Sequence, residues 1–288
     1  MRLLLVCKTT NLELYQDIVA AKIDEGLAAK DMLARLQVEH DEHYRTLDKL
    51  RACLKQHQLS FHEIGRDDKW PDITGVDAVV SVGGDGTLLS ASHHMPKGGQ
   101  LIGVRSSEAS VGYLCAAGIE GLPDLTTRLA TGTMTWLPTA RLGVKVIRAD
   151  GTEEESEPVL NDILYTNSHP AATTRYGIQW QKNYEEQRSS GIWFATAAGS
   201  TAGIKAAGGE QVPIGSHLYQ FRVRELYHPP GQQLKVQGGF FRAGDNLRVI
   251  NHNESALIAL DGQHGKLDLQ YGDSFFVVPG SFIDLAAS

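Results

Sequence analysis

Cysteine is scarce in this 288-residue chain. Cys7, Cys53 and Cys115 are its three, at separations that match neither a disulfide framework nor a metal-binding pattern, so they read as reduced, packed thiols. The eleven histidines contain no HExxH or comparable ligand spacing, and the pair His93-His94 reads as helix surface. No apolar run is long enough to cross a bilayer. No leader peptide is expected either: Arg2-Leu3-Leu4-Leu5-Val6 reads as a first strand with no small-residue cleavage site behind it, so a cytoplasmic protein is expected. Positive charge is in deficit. The formal charge of −7 argues against nucleic acid or an anionic membrane as the main partner, while leaving room for a local cationic pocket. Repeats and low-complexity tracts are absent. What remains is ordinary globular material, 42% hydrophobic and 21% charged, long enough for one large domain or two.

The most informative stretch is Val79-Val80-Ser81-Val82-Gly83-Gly84-Asp85-Gly86-Thr87-Leu88-Leu89. Its continuous β-branched run suits a buried parallel strand. Gly83, Gly84 and Gly86 lack a Cβ, so the backbone is expected to adopt positive φ and let an anion approach its N–H groups. Thr87 is the expected cap of a helix beginning at Leu88, whose positive dipole end favours the same anion. Asp85 is the odd member, because a carboxylate in a phosphate-suited loop is repulsive unless it handles a proton or a metal. A plain glycine turn with an N-cap aspartate is the competing interpretation.

Around this stretch the first half alternates. Residues 2–8 read as a strand, 12–57 as a mostly helical arm with a break near Gly26, and 59–64, 76–82 and 101–104 as further strands. That rhythm belongs to a parallel α/β sheet, whose ligands sit at the carboxyl ends of strands. Character changes at Pro138. From 138 to 288 short strands dominate, at 140–147, 159–166, 176–182, 191–197, 219–227, 233–240, 247–250, 256–260 and 274–278, with Arg148 to Pro158 as an exposed hairpin connection. Residues 1–137 and 138–288 are therefore read as an α/β domain and an all-β domain, the last residues being candidates to pack back on the first, with the boundary between them as the expected ligand cleft.

Two further constellations lie in the β half. In Ile192-Trp193-Phe194-Ala195-Thr196-Ala197-Ala198-Gly199-Ser200-Thr201-Ala202-Gly203 an apolar strand runs into a small-residue turn, where a flat ring can lie against backbone beside short hydroxyls. A strand followed by a capped helix explains the same residues without a ligand. Asn161-Asp162 is a polar pair within an apolar strand. Asn161 offers donor and acceptor to a base edge and Asp162 an acceptor to a ribose diol, unless both are simply satisfied at a strand end.

Gly84-Asp85-Gly86-Thr87, Asn161-Asp162 and Gly199-Ser200-Thr201-Ala202, in this order, resemble the NAD kinase family over nearly the whole chain. The GGDGT loop by itself is shared with diacylglycerol and sphingosine kinases and some phosphofructokinases. The mitochondrial type is the nearer match, through Val6-Cys7-Lys8-Thr9-Thr10, Ile102-Gly103-Val104, Gly112-Tyr113-Leu114-Cys115, Gln187-Arg188-Ser189-Ser190-Gly191 and Leu260-Asp261-Gly262. The resemblance implies a Rossmann-like α/β domain with a parallel sheet, an all-β C-terminal domain, and transfer of the γ-phosphoryl group of ATP to the 2′-hydroxyl of the adenosine ribose of NAD(H). Asp85 would be the general base and the Gly83–Thr87 backbone the pyrophosphate cradle. Mg²⁺ would balance the charge of ATP without a side-chain ligand of its own. Asn161 and Asp162 would hold adenine and ribose, Thr201 and Ala202 would line the adenine pocket, and Thr196, Ala198 and Ser200 would be further nucleotide-binding residues. Asp261 would sit near the transferring phosphate.

Two positions depart from the common family pattern. Gly203 stands where an aromatic residue usually follows Thr-Ala, and Trp193 or Tyr176 is the expected substitute. Ser190 stands where the ordinary type has an aspartate near the nicotinamide, a change that bears on the choice between NAD and NADH. By resemblance the partners are NAD(H), ATP and further copies of the chain, as a homodimer or homotetramer through the β domain. A lipid or other small-alcohol kinase, and a catalytically idle NAD(H) sensor, are the alternatives.

Overall fold

The computed structural model describes residues 1–24, 30–242 and 244–288. The expected break near Gly26 lies outside the described residues. The chain divides into two compact units, Met1–Leu137 with Asp284–Ser288, and Pro138–Ile283.

The first unit begins with β1 (Arg2–Cys7), α1 (Asn11–Asp24) and α2 (Lys30–Gln56), then β2 (Ser60–Gly65) and β3 (Ala78–Gly83). α3 (Asp85–Ser92), β4 (Gln100–Arg105), α4 (Leu122–Thr131) and β5 (Trp136–Thr139) follow. Its sheet runs β2-β1-β3-β4, continues through the late strand Ile283–Ala286 and ends at β5, with β1, β2, β3, β4 and that late strand paired in parallel. Every residue of β3 is buried, as a central parallel strand requires. Leu47, Leu50 and Leu54, at helical spacing on α2, close one face of the core with Leu122, Leu125 and Leu129 of α4.

The second unit holds β6 (Leu142–Ile147), β7 (Glu153–Glu155), β8 (Asp162–Asn167), β9 (Thr174–Trp180), β10 (Asn183–Ser189) and β11 (Gly191–Ala195). After a 3₁₀ turn at Ala198–Thr201 come α5 (Gly203–Ala206), β12 (Tyr219–Arg224), β13 (Gly238–Phe241), β14 (Leu247–Asn251), β15 (Ser255–Leu260), β16 (Gly265–Gln270) and β17 (Ser274–Pro279). They form two six-stranded sheets, β10-β9-β14-β17-β6-β7 and β13-β12-β11-β8-β15-β16, whose pairings are antiparallel. Tyr165, Tyr176, Phe194, Phe221 and Phe275 fill one shared core. The expectation of an α/β region followed by an all-β region is met.

Three differences from the sequence reading have physical causes. β10 and β16 were not expected, because both are edge strands with an exposed face and read as polar; on β10 even the inward residues are Gln187 and Ser189. The run expected at 159–166 enters its ladder only at Asp162, because the N–H groups of Leu160, Asn161 and Asp162 donate to the Asp261 carboxylate at 2.8–3.0 Å. Likewise the strand expected at 233–240 forms only from Gly238, since the amides of Lys235 and Val236 donate to Glu185. A carboxylate has taken the place of a neighbouring strand in each case.

Candidate functional site

In the first unit β3 ends at Gly83 and α3 starts at Asp85, one turn earlier than expected. Gly84, not Thr87, is the N-cap, and no side chain caps the helix. The glycines do not supply positive φ. None of Gly83, Gly84 and Gly86 is left-handed, and Gly84 has φ −125° and ψ −166°. What they supply is room. A Cβ on Gly83 would lie 2.2 Å from Thr87 Oγ1, and one on Gly84 would lie 2.1 Å from Ser110 Oγ. Thr87 is thus folded back onto Gly83 and buried. Gly86 is exposed and a Cβ there would meet nothing within 4 Å. The first helical amides, at Asp85 and Gly86, have no acceptor one turn back and carry the positive end of the helix dipole.

Asp85 is half-buried, and its two oxygens accept the amides of Tyr113 at 3.0 Å and Leu114 at 2.8 Å. Those amides are presented by a turn at Gly112, whose φ of 63° and close approach to Arg105 exclude a side chain. In the sequence Gly112-Tyr113 carries part of the family resemblance but no sign of this use. Each oxygen keeps a further lone pair for a ligand hydroxyl. Burial, then the charge of Asp85, pushes the Cys115 thiol up to about 12, so it stays protonated.

In the second unit the β8–β11 pairing sets Asp162 opposite Ala195, which brings Asn161 and Asp162 beside the turn that follows β11. Thr196 fastens the two: its Oγ1 donates to the Leu160 carbonyl at 2.5 Å, its N–H donates to the Asn161 carbonyl, and its Oγ1 accepts the Gly199 amide. Gly199 lies so close that a Cβ would come 2.1 Å from the Asn161 carbonyl oxygen. Ser200 is fully buried and its hydroxyl is spent on the backbone of Val212. Ala198 is buried in the same turn, while Thr201 and Ala202 are half-buried. The Asp261 carboxylate, buried and held at φ 45°, is engaged by the three amides of residues 160–162. Burial lowers the neighbouring Arg141 to about 10, against the opposing charge of Asp261.

Two polar groups in this cluster point to a ligand. Asn161 Oδ1 is buried and, among the described residues, has no hydrogen-bond partner. Asp162 is buried with the Gly203 amide as its donor, and desolvation, then the charge of Asp261, pushes its carboxyl up to about 7. Near neutrality it therefore offers both a proton and an acceptor. Beside it stands Trp193, half-buried, with ring atoms within about 3 Å of where a Gly203 Cβ would be. Tyr176, the other candidate for that role, is in the core with its hydroxyl on Gln187 and Ser189. Ser190 is not part of the cluster. It precedes β11, whereas Thr196 follows it, and the six residue steps along that extended strand separate them by roughly 20 Å.

Among the described residues no helix is long and apolar enough to cross a membrane, and no three His, Cys, Asp or Glu side chains converge as a metal site.

No family model matches the chain. It is 31% identical over 254 residues to a protein of Oryza sativa subsp. japonica named probable NADH kinase, covering 81% of this chain and 77% of that one. With an Arabidopsis thaliana protein named NADH kinase it is 29% identical over 259 residues, covering 81% and 79%. Among solved structures, an NAD kinase from Archaeoglobus fulgidus in complex with ATP matches with a TM-score of 0.67 at 19% identity, over 100% of this chain and 92% of that one. Yeast NADH kinase complexed with NADH matches with a TM-score of 0.69 at 15% identity, over 100% and 84%. At these identities the two structures speak for the fold.

Proposed function

The chain belongs to the NAD(H) kinase family, and from that membership we propose how its residues divide the phosphorylation of NAD(H) among themselves. It is a phosphotransferase. The readings as a lipid kinase or an idle sensor give way, because named NADH kinases match four-fifths of the chain.

The reaction breaks the bond between Pγ of ATP and its β-bridging oxygen, and forms one between Pγ and the 2′-oxygen of the adenosine ribose. ADP leaves and NADP(H) results. Phosphoryl transfer is chiefly positioning and charge neutralisation. The first unit supplies the Gly83–Thr87 loop, whose free amides at Asp85 and Gly86 receive phosphate oxygens. Asp85 orients the 2′-hydroxyl and takes its proton, held for that task by Tyr113 and Leu114. Mg²⁺ enters as part of the substrate Mg·ATP. With the Asp85 oxygens already on two amides, the loop fits a metal coordinated mainly by phosphates.

The second unit supplies recognition. The single observation that carries this reading is the buried, unpartnered Asn161 Oδ1, an acceptor for the exocyclic amine of adenine. Asp162 meets a ribose hydroxyl, and Thr201 and Ala202 border the ring beside Ala198. Thr196, Ser200 and Asp261 act by fixing the backbone these residues stand on. Ser190 is neutral and does not select the cationic nicotinamide of NAD, so NADH is accepted as well. A homodimer or homotetramer through the β unit and a cytoplasmic setting complete the proposal.

The direct test is to incubate the purified chain with Mg·ATP and either NAD or NADH and measure the 2′-phosphorylated product. NADP(H) formation with both is expected, with Ser190→Asp shifting the ratio toward NAD. Failure to form either product overturns the assignment. A ratio unchanged in the variant removes the role given to Ser190.

A further inference from the structure

Arg188 on β10 and Arg175 on β9 are direct cross-strand partners, and both are exposed. The next strand extends the row. Asn251 ends β14 opposite Tyr176, and the amide of the following residue, His252, donates to the Arg175 carbonyl at 3.0 Å. Two arginines therefore stand side by side on adjacent strands, with His252 beside them just past the end of β14, in a chain whose formal charge is −7. Like charges directly opposite one another destabilise a sheet. Nothing internal offsets this: among the described residues neither guanidinium has a hydrogen-bonding or ion-pairing partner. Glu186, the one acid among the neighbouring lining residues, is spent on His252 Nδ1 at 2.9 Å and on the Tyr184 hydroxyl.

The three side chains border one cavity of about 490 Å³, together with Tyr227, Gln232 and Leu234. Its floor is fixed by Tyr176, hydrogen-bonded to Gln187 at 3.0 Å and Ser189 at 2.9 Å. Its wall is pinned where the Tyr227 amide donates to the Arg188 carbonyl and where Lys235 and Val236 donate to Glu185. A preformed concavity of this size suits a mononucleotide. It shares no residue with the Asn161–Asp162 and Thr196–Ala202 cluster.

We propose that this cavity is a second, anion-binding site, which takes the phosphate of a small phosphorylated molecule between Arg175 and Arg188. Two guanidinium forks facing one another form charge-assisted, bidentate bonds to a phosphate dianion and turn their mutual repulsion into attraction. The Tyr227 ring and Leu234 give an organic portion an apolar wall.

The test compares the native chain with Arg175→Gln and Arg188→Gln by equilibrium dialysis against labelled inorganic phosphate, pyrophosphate and AMP, with adenosine as the uncharged control. The native chain is expected to bind one more equivalent of phosphate-bearing probe than either variant, or to bind it about tenfold more tightly at that site, the loss typical of one charge-assisted contact. AMP bound more tightly than inorganic phosphate identifies a nucleotide as the occupant, and equal binding identifies the free anion. In phosphate-free buffer Arg175→Gln should melt no lower than the native chain, since a repulsion has been removed. Saturating pyrophosphate should then raise the native melting temperature more than the variant's. Equal stoichiometry and affinity in all three chains, binding of adenosine as tight as AMP, or a lower melting temperature for Arg175→Gln in phosphate-free buffer would each overturn the proposal.

Discussion

The indole of Trp193 closes over Gly203 so tightly that a Cβ at residue 203 would lie 2.8, 2.9 and 3.1 Å from three of its ring atoms. A ring offered from β11 thus fills the space that a side chain on α5 would need. The same glycine gives its amide to Asp162, so pressure on the ring is also pressure on the buried carboxyl. Arg224, 5.9 Å from the ring centroid, adds a cation to the surroundings of the indole. Gly203→Ala is therefore expected to cost about 1–3 kcal/mol through overpacking, seen as a lower denaturation midpoint, and to raise KM for NAD more than KM for Mg·ATP. Removing the obstruction with Trp193→Leu in the same chain should restore part of the stability but not the affinity. A Gly203→Ala chain with native stability and kinetics would show that the contact is idle.

Asp85 presents a sharper case because both its oxygens are acceptors for backbone amides. Asparagine keeps the shape but turns one acceptor into an NH₂ facing an N–H, and it cannot take a proton. Asp85→Asn is expected to lower kcat by roughly 10²–10⁴ with a much smaller change in KM for Mg·ATP. Steady-state rates of NADP formation decide it, and near-native turnover would remove the carboxylate from the mechanism.

The glycines of the same loop separate structure from ligand access. Gly83→Ala drives a methyl to 2.2 Å from Thr87 Oγ1 and 2.7 Å from its Cβ, so thermal denaturation should register a clear loss of stability. Gly86→Ala meets nothing within 4 Å, lies in a helical first turn, and should stabilise that turn by about 0.5–1 kcal/mol. If phosphate approaches the backbone there, the same methyl raises KM for Mg·ATP several-fold. Unchanged kinetics in a stabilised Gly86→Ala chain would place the phosphates elsewhere.

These residues also mark what a sequence can and cannot disclose. β3 was legible because a strand buried on both faces must be apolar throughout, and Val79–Val82 is. Asn161 and Asp162 stood out as polar residues in an apolar strand. Their position beside Thr196 depends on a pairing between β8 and β11 that local pattern does not encode. The loop glycines were recognised for the wrong reason, since Ser110, which requires Gly84 to be bare, is distant in sequence. Asp261 and Glu185 were harder still. Each carboxylate replaces a missing strand for amides fifty to a hundred residues away, which erases the predicted starts at 159 and 233.

Each unit also carries one buried group whose titration opposes the other's. Asp162 is pushed from 3.8 up to about 7 by burial and then by Asp261. Between pH 4 and 7 the folded second unit keeps a proton that the unfolded chain has released, so stability falls as pH rises. His43, buried in the first unit with Nδ1 2.8 Å from Ser106 Oγ, is lowered from 6.5 to about 4 by burial and then by the charge of Lys8. Between pH 4 and 6.5 the unfolded chain binds a proton that folded His43 refuses, so stability rises with pH. The full spans are on the order of 4 and 3 kcal/mol respectively. Asp162→Asn should therefore leave a chain whose stability climbs from pH 4.5 to 7, and His43→Asn one whose stability declines over the same interval. Urea denaturation at half-unit steps of pH reads both slopes. Profiles parallel to the native one in both variants would mean that neither group titrates in this window, and the reading of Asp162 as a neutral carboxyl awaiting a ribose hydroxyl would fall with them.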